Sequence, residues 1–309
     1  MPTRFAYSFL VIAVFVGMTS VAEPLLAHQW QWKLKAGDKF DVTLDHSTVS
    51  DTEVGDFKAK QTNRYKLATT WVVKSVDDQQ VATIEKTIES IQFSVDSKSP
   101  LPMSINVDTA TGAASGKTMS GVEATTFLKH MQSLIGKTLR IEMKPNGETK
   151  TLPIPEETQA AIDAFPPTAY VLQTFPVNTA FDGETTYFVT LPAKMLEPSE
   201  TWQQESGKAV HENEAFVTTQ KYVGHSKSDG TVLDEFTTTS LPKKAGDREL
   251  LPGKPDPMTV RKQKGTGQCF FDRTNGHFTK SSYRNAIVMK SEAQNSTITS
   301  EFATTVKRK

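Results

Sequence analysis

Residues 65–95 read YKLATTWVVKSVDDQQVATIEKTIESIQFSV, and this run decides the fold class. Tyr65, Leu67, Thr69, Trp71 and Val73 recur at every second position, Asp77-Asp78-Gln79-Gln80 carry turn chemistry, and the chain returns from Val81 to Val95. A period of two means strands with one buried face, so the run predicts a long antiparallel hairpin. On the return strand the apolar parity changes between Ile84/Ile88 and Ile91/Phe93/Val95. A slip of one residue turns every following side chain to the other face unless an extra residue is absorbed, which predicts a β-bulge at Glu89 or Ser90.

The same pattern extends upstream. Trp30, Trp32 and Leu34 alternate with Gln31, Lys33 and Lys35; after an Ala36-Gly37-Asp38 turn, Phe40, Val42 and Leu44 alternate with Asp41, Thr43 and Asp45. The 309 residues include 40 threonines against 17 glycines and 16 prolines, and β-branched Thr suits a half-buried pleated surface. A second instance of the plan follows downstream. Leu34-x-x-Gly37-Asp38-x-Phe40 matches Leu196-x-x-Ser199-Glu200-x-Trp202. Trp71-Val72 through Asp78 to Val81 matches Tyr222-Val223 through Asp229 to Val232, and Asp108 to Gly112 matches Asp272 to Gly276. One duplicated unit with altered loops accounts for the three matches; shared turn chemistry in a β-rich chain is the competing account. The expected organisation is a leader at 1–22, a first β-rich half with minor helices at 23–191, and a second β-rich half at 192–309.

Helical spacing is sparse. Phe127, Leu128, Met131, Leu134 and Ile135 form one amphipathic face that stops at Gly136, and Pro155 with Glu156 and Glu157 opens a second helix through Ala161 and Ile162 to Phe165, before Pro166-Pro167. Lys144-Pro145-Asn146-Gly147-Glu148 reads as a hairpin turn, whereas Pro242 to Pro257, with prolines at 242, 252, 255 and 257, reads as a loop. The fold class is therefore mainly β, antiparallel, with long curved hairpins in two similar halves and two or three minor helices.

Arg4, an uncharged stretch from Phe5 to Ser20, and Ser20-Val21-Ala22 before Glu23 have the order a secretory signal peptidase reads. The apolar part, Phe5 to Met18, is shorter than the roughly 20 residues a membrane-spanning helix needs, which favours cleavage over a retained anchor. Removing residues 1–22 takes away Arg4 and no acid, so 35 − 1 = 34 Lys+Arg face 35 Asp+Glu, a net charge of −1. Near-neutrality removes the basic field that non-specific nucleic-acid binding needs, and 37% hydrophobic residues place the chain outside the disordered class. The single cysteine, Cys269, permits no internal disulfide and lies too far from the leader to carry a lipid. The expected location is periplasmic or extracellular without a lipid anchor.

Motifs that carry chemistry fail on spacing. Gly116-Lys117-Thr118 and Gly136-Lys137-Thr138 have Thr111 and Met131 where a phosphate-binding loop has its first glycine; Gly265-Thr266-Gly267 has Phe270 where dinucleotide binding needs a third. No two of the six histidines (28, 46, 130, 211, 225 and 277) are closer than 14 residues, and His211-Glu212-Asn213-Glu214 on a strand splits its groups between two faces. Asp38, Asp41 and Asp45 read as a wet strand face, Asp108 and Asp272 as turn formers, and Cys269 in Gln268-Cys269-Phe270-Phe271 as a small buried hydrophobe. No catalytic or metal-ligating residue is assigned, no cofactor is implied, and the ligand-binding residues stay unassigned. A Ser/His/Asp or Cys/His site assembled by the fold remains open, since such partners need not be sequence neighbours.

With the Leu34-x-x-Gly37-Asp38-x-Phe40 strand and the Gly265-x-Gly267-x-x-Phe270-x-Asp272-x-x-x-Gly276 segment in hand, the chain resembles a group of exported bacterial β-rich proteins known as a domain of unknown function. The resemblance runs over most of the chain after the leader, implies architecture, and supplies no catalytic residues. The long hairpins with packing helices are also similar in plan to the half-barrels of periplasmic lipoprotein carriers, an analogy of fold alone. The leading reading is a non-catalytic binding module with a concave apolar face for a lipid or other hydrophobic ligand. The alternatives are an adhesive or structural envelope protein that binds a protein partner, and a hydrolase with a fold-assembled site. N-terminal sequencing of the exported protein is expected to begin at Glu23; a start at Met1 in the membrane fraction would refute the export reading.

Overall fold

The computed structural model describes residues 30–98, 102–118, 121–164, 189–206, 216–228, 231–242, 259–291 and 294–309. Strands β1 (Lys39–Val54), β2 (Phe57–Val76), β3 (Ala82–Ser97), β4 (Met103–Asp108) and β5 (Ala113–Lys117) form the first run, followed by helix α1 (Ala124–Leu134), the short hairpin β6 (Thr138–Met143) and β7 (Thr149–Thr151), and helix α2 (Glu156–Asp163). The second run comprises β8 (Thr201–Ser206), β9 (Phe216–Ser228), β10 (Thr231–Pro242), β11 (Thr259–Asp272), β12 (His277–Lys290) and β13 (Gln294–Arg308). All pairings are antiparallel, in the order β5-β4-β3-β2-β1-β13-β12-β11-β10-β9-β8, with β6 added on β3. The two runs thus share one open sheet, joined where β1 pairs with β13 from Phe40↔Arg308 to Val54↔Gln294.

The hairpin that the alternation predicts is β2–β3, and its bulge falls at Glu89: Ala68 pairs with Ser90 and Thr69 with Ile88, so Glu89 has no partner in the ladder. The bulge keeps Ile84 and Ile88 on one side of it, and Ile91, Phe93 and Val95 on the other, all buried on one face. The β6–β7 turn forms at Lys144–Glu148, with the Lys144 amide bonded to the Glu148 carbonyl at 2.8 Å. Helix α1 ends one residue before Ile135, and Gly136, at φ +77°, leads the chain away; α2 begins at Glu156 behind Pro155. Of the predicted loop at Pro242–Pro257, Pro242 instead ends β10, paired with Phe216, and 243–257 lie outside the described residues, as does the end of the second helix at Phe165.

Trp30, Trp32 and Leu34 are buried as their alternation requires, yet they add no strand to the ladder. The segment crosses the sheet's inner face as a strap. Its Trp32 amide bonds to the Pro145 carbonyl at 2.7 Å and its Lys33 amide to the Gly276 carbonyl at 2.9 Å, so one side is held by the first run and the other by the second. Two cores result. One packs α1 against Leu67, Ile91, Phe93, Ile105 and Val107; the other gathers Trp30, Phe40, Trp71, Phe236, Phe271 and Phe278.

The matched sequence stretches make matched bonds. Gly37 (φ +91°) donates to the Val73 carbonyl at 2.8 Å while Val73 donates to the Asp38 carbonyl at 2.9 Å; Ser199 (φ +77°) donates to the Tyr222 carbonyl at 2.7 Å while Tyr222 donates to the Glu200 carbonyl at 3.0 Å. The bonding therefore sets Tyr222 opposite Val73 and not Trp71, two residues from where the sequence match put it. Asp108 and Asp272 each cap their turn as expected, with Oδ1 accepting from Ala110 and Asn275 respectively, both at 2.9 Å.

Where the packed cores give way, one row of rings crosses four adjacent strands. His46 on β1 stands directly opposite Tyr65 on β2 and Phe302 on β13, and Phe302 stands opposite Tyr283 on β12. The imidazole stacks on Phe302 at 4.0 Å and meets Tyr65 edge-on at 5.0 Å. Burial lowers the His46 pKa from 6.5 to about 4, so the unfolded chain binds the proton first. His46 accordingly supports the fold fully above pH 6.5 and ceases to do so as pH falls towards 4, an effect of up to about 3 kcal/mol, lessened by partial exposure. His46→Phe, which keeps a ring in the row, is expected to flatten the loss of denaturant stability between pH 6.5 and 4. Parallel curves for variant and wild type would show that His46 does not contribute it.

Candidate functional site

Two places combine access with organised chemistry. The first is the inner face beyond the ring row. The stripe that begins Phe40, Val42, Leu44 on β1 continues as His46, Thr48, Ser50 and Thr52, and the residues opposite on β13 are Phe302, Ser300, Ile298 and Ser296. On β12, Asn285, Ile287 and Met289 continue the row, paired with Ser300, Ile298 and Ser296. Directly opposite residues of an antiparallel pair share a face, so these side chains line one surface. Its hydroxyls pair with each other: Thr48 with Ser300 at 3.2 Å, Thr52 with Ser296 at 3.0 Å, Thr218 with Ser240 at 3.0 Å. Ile287, Met289, Ile298 and Phe302 are half-buried on it, and none belongs to either packed core.

Gly265 and Gly267 have their explanation on the same surface. A Cβ at either glycine would collide with Tyr283, whose ring lies across β11 from β12. The Gly-x-Gly pair seats an aromatic ring. Gly116 is likewise structural, since a Cβ there would strike the Ser104 carbonyl across the β4–β5 pair.

The second place is a cleft of about 480 Å³ lined by Lys33, His225, Val232, Asp234, Arg273 and Thr274. Asp234 on β10 is 1% exposed and forms its floor. Its Oδ2 accepts from Trp30 Nε1 and Arg273 Nε, both at 2.7 Å; its Oδ1 accepts from Tyr222 Oη at 3.1 Å and Arg273 Nη2 at 2.6 Å. Burial and the Asp234 charge raise the Tyr222 phenol pKa, and the bonds to Asp234 raise that of Arg273, so both donors stay protonated. The guanidinium also lies over the Trp30 ring at 5.6 Å. This knot was missed in the sequence. Asp234 shares the parity of Phe236, and an acid at a core position was the available signal.

Cys269 is buried in β11, and burial pushes its thiol up to about 12 even though the Val189 amide bonds to it. A protonated, enclosed thiol is a hydrophobe in function. His277 is buried beside Phe40, with its ring centroid 5.7 Å away, and burial lowers its pKa. Asp38 and Asp41 pair with Arg308 and Lys309 at 2.6 and 2.7 Å, which accounts for their acids on the strand face. The His211–Glu214 cluster and His28 lie outside the described residues. Among the described residues no three metal-type side chains converge, and no helix is long and apolar enough to cross a membrane.

No protein-family model matches the chain, and no curated protein matches it. Among solved structures the chain is similar to lipovitellin, in a structure concerned with lipid–protein interactions, at 10% identity and a TM-score of 0.47, over 88% of this chain and 25% of that one. It thus spans a quarter of the lipovitellin chain. It is also similar to an outer-membrane channel from Pseudomonas putida, at 9% identity and a TM-score of 0.24, over 90% and 98% of the two chains. Neither overlap is close enough to carry an assignment.

Asp234→Ala would leave the Arg273 charge without its acceptor and free the Trp30 strap. Breaking such a pair costs about 3–5 kcal/mol when both partners are buried, and about 2–4 kcal/mol is expected here because the Arg273 side chain keeps 33% of its exposure. Tyr222→Phe, which removes one donor, is expected to cost about 1 kcal/mol. Urea denaturation of both variants checks the order; equal costs would mean that Asp234 does not organise the knot.

Proposed function

We propose that the protein is an exported, non-catalytic binding module that holds an apolar or amphipathic ligand, of the lipid class, on the inner face beyond the ring row. The observation that carries this reading is the pairing of the surface's hydroxyls with one another. In each pair one O–H is spent on the other oxygen, which lowers but does not remove the polarity that Thr48, Thr52, Thr218, Ser240, Ser296 and Ser300 present. Ile287, Met289, Ile298 and Phe302 supply the apolar contact, and the Asn285 Oδ1, without a partner among the described residues, is left for a polar end of the ligand. A continuous sheet of this width twists and curves, which gives an extended ligand a trough to follow. Burial contributes about 0.8 kcal/mol per methylene, so a chain of about fifteen carbons supplies on the order of 10 kcal/mol before binding costs. Such a ligand survives purification.

The reading includes a duplicated β unit, supported by the matched bonds at Gly37/Asp38 and Ser199/Glu200, with the leader at 1–22 directing export. Attachment to a protein partner through a sheet edge is the competing function, favoured by the edges at β5 and β8, which no further described strand covers.

Native mass spectrometry of protein purified from its own source is expected to show an added mass of a few hundred daltons, released on denaturation, within the size range of single-chain lipids. Ile298→Arg, which sets a charge opposite Ile287, is expected to abolish that mass while the far-ultraviolet spectrum is unchanged. A bare polypeptide mass, together with no uptake of a fluorescent fatty acid, would overturn the lipid reading.

A further inference from the structure

We propose that the cleft between Lys33, His225, Arg273 and Thr274 is a binding site for a phosphate group. It lies beyond Phe236 and Trp30 from the ring row and does not depend on the inner-face reading.

The first argument is the balance of donors and acceptors. Asp234 is the carboxylate among the lining residues, and four bonds from Trp30, Tyr222 and Arg273 occupy its two oxygens. An incoming cation finds no free lone pair of good geometry there, and the charge is already matched by Arg273. The remaining groups are donors. Among the described residues Lys33 Nζ bonds to the Arg273 carbonyl alone, at 3.0 Å, and has two further hydrogens. Arg273 engages Asp234 and Tyr222 through Nε and Nη2, leaving Nη1 without a bond among the described residues. The Thr274 hydroxyl and the His225 ring complete the rim, and both side chains are exposed. Counting the described lining residues with His neutral, Lys33 and Arg273 against Asp234 give 2 − 1 = +1. A cleft with surplus positive charge, several unspent donors and a saturated acceptor selects an anion.

The second argument concerns which anion. A carboxylate is best held by a planar fork, and the fork of Arg273 is spent on Asp234. What the rim offers is single donors on four separate side chains, from the strap, β9 and the β11–β12 turn. A tetrahedral phosphate, with three unbridged oxygens pointing in different directions, uses such donors better.

The rim is also pre-organised. Arg273 is fixed at its tip by Asp234, and the Lys33 stem packs where a Cβ of Gly276 would stand, with Gly276 at φ +64°. Neither side chain must be ordered on binding, which lowers the entropic cost of capture.

The phosphate could belong to a soluble phosphorylated molecule or to a lipid headgroup, and two probes separate these sources. Calorimetric titration of the full protein with inorganic phosphate at low salt is expected to show one site. Lys33→Met, which keeps the stem over Gly276, and His225→Gln are each expected to weaken it, the lysine change by about tenfold or more, as loss of a charge-assisted bond implies. Melting temperatures that stay at the wild-type value will show that the fold is intact. Flotation with phosphatidylcholine vesicles, with and without phosphatidic acid, is the second arm. Recovery only with phosphatidic acid, lost in Lys33→Met, assigns the headgroup; phosphate binding without flotation assigns a soluble ligand. Absence of phosphate binding, or binding that both variants leave unchanged, overturns the proposal.

Discussion

The pairing of β1 with β13 is the constraint on which the rest of the structure depends. It joins residues as far apart in sequence as Phe40 and Arg308, and it turns two runs of hairpins into one sheet. Everything else in the sheet is built from neighbours in sequence, except the addition of β6 to β3. Local hairpins form early because their loops close cheaply, whereas a seam of this sequence separation must be closed against the entropy of the whole intervening chain. The seam also sets the inner face. Because its register pairs Leu44 with Thr304 and His46 with Phe302, the apolar stripe of β1 lines up with that of β13, and the ring row lies square across the sheet. A register slip of one residue would send His46 and Phe302 to opposite faces and open the core.

The strap from Trp30 to Leu34 works with the seam at one end of the sheet's inner face. It is bonded to the β6–β7 turn on one side and to the β11–β12 turn on the other, and the Asp234 knot anchors its first residue. A carboxylate buried to this degree is costly unless its oxygens are satisfied, and here indole, phenol and guanidinium do so together. The same four residues therefore close the packed core and set the electrostatics of the cleft outside it. That explains why Arg273 lies in a turn and not in a strand: the Asp272-to-Gly276 turn brings the guanidinium around the sheet's end to meet Asp234 from the solvent side.

Much of this was legible in the sequence because it is local. Alternation at Tyr65 to Val73 gave the strands, the parity change at Ile88/Ile91 gave the bulge at Glu89, and Gly136 gave the end of α1. The alternation of Trp30, Trp32 and Leu34 gave burial correctly but not the role, since an extended segment bonded on both sides to turns has the same period as a strand in a ladder. Strand order was not legible, because hydrophobic period carries no information about which distant strand a given strand will meet. Nor was the Asp234 knot, whose partners come from the strap, β9 and the β11–β12 turn and are brought together only by the finished sheet.

The contrast between the two halves of the inner face gives the clearest physical argument about use. Under the first run the face is filled by α1, with Phe127, Met131 and Leu134 fully buried against Ile91, Phe93 and Ile105. Across β12 and β13 the corresponding positions hold Ile287, Met289 and Ile298, which are half-buried and belong to neither core. Were this surface merely solvent-facing, Ile and Met would be poor choices beside hydroxyls already bonded to one another and to the side chains of His46 and Tyr283. Were it a core, those hydroxyls would be a needless burden of polar atoms to satisfy. The surface is therefore mixed: its hydroxyls are largely drawn into local pairs, its aliphatic side chains stay half-buried, and the Asn285 Oδ1 is buried without a partner among the described residues.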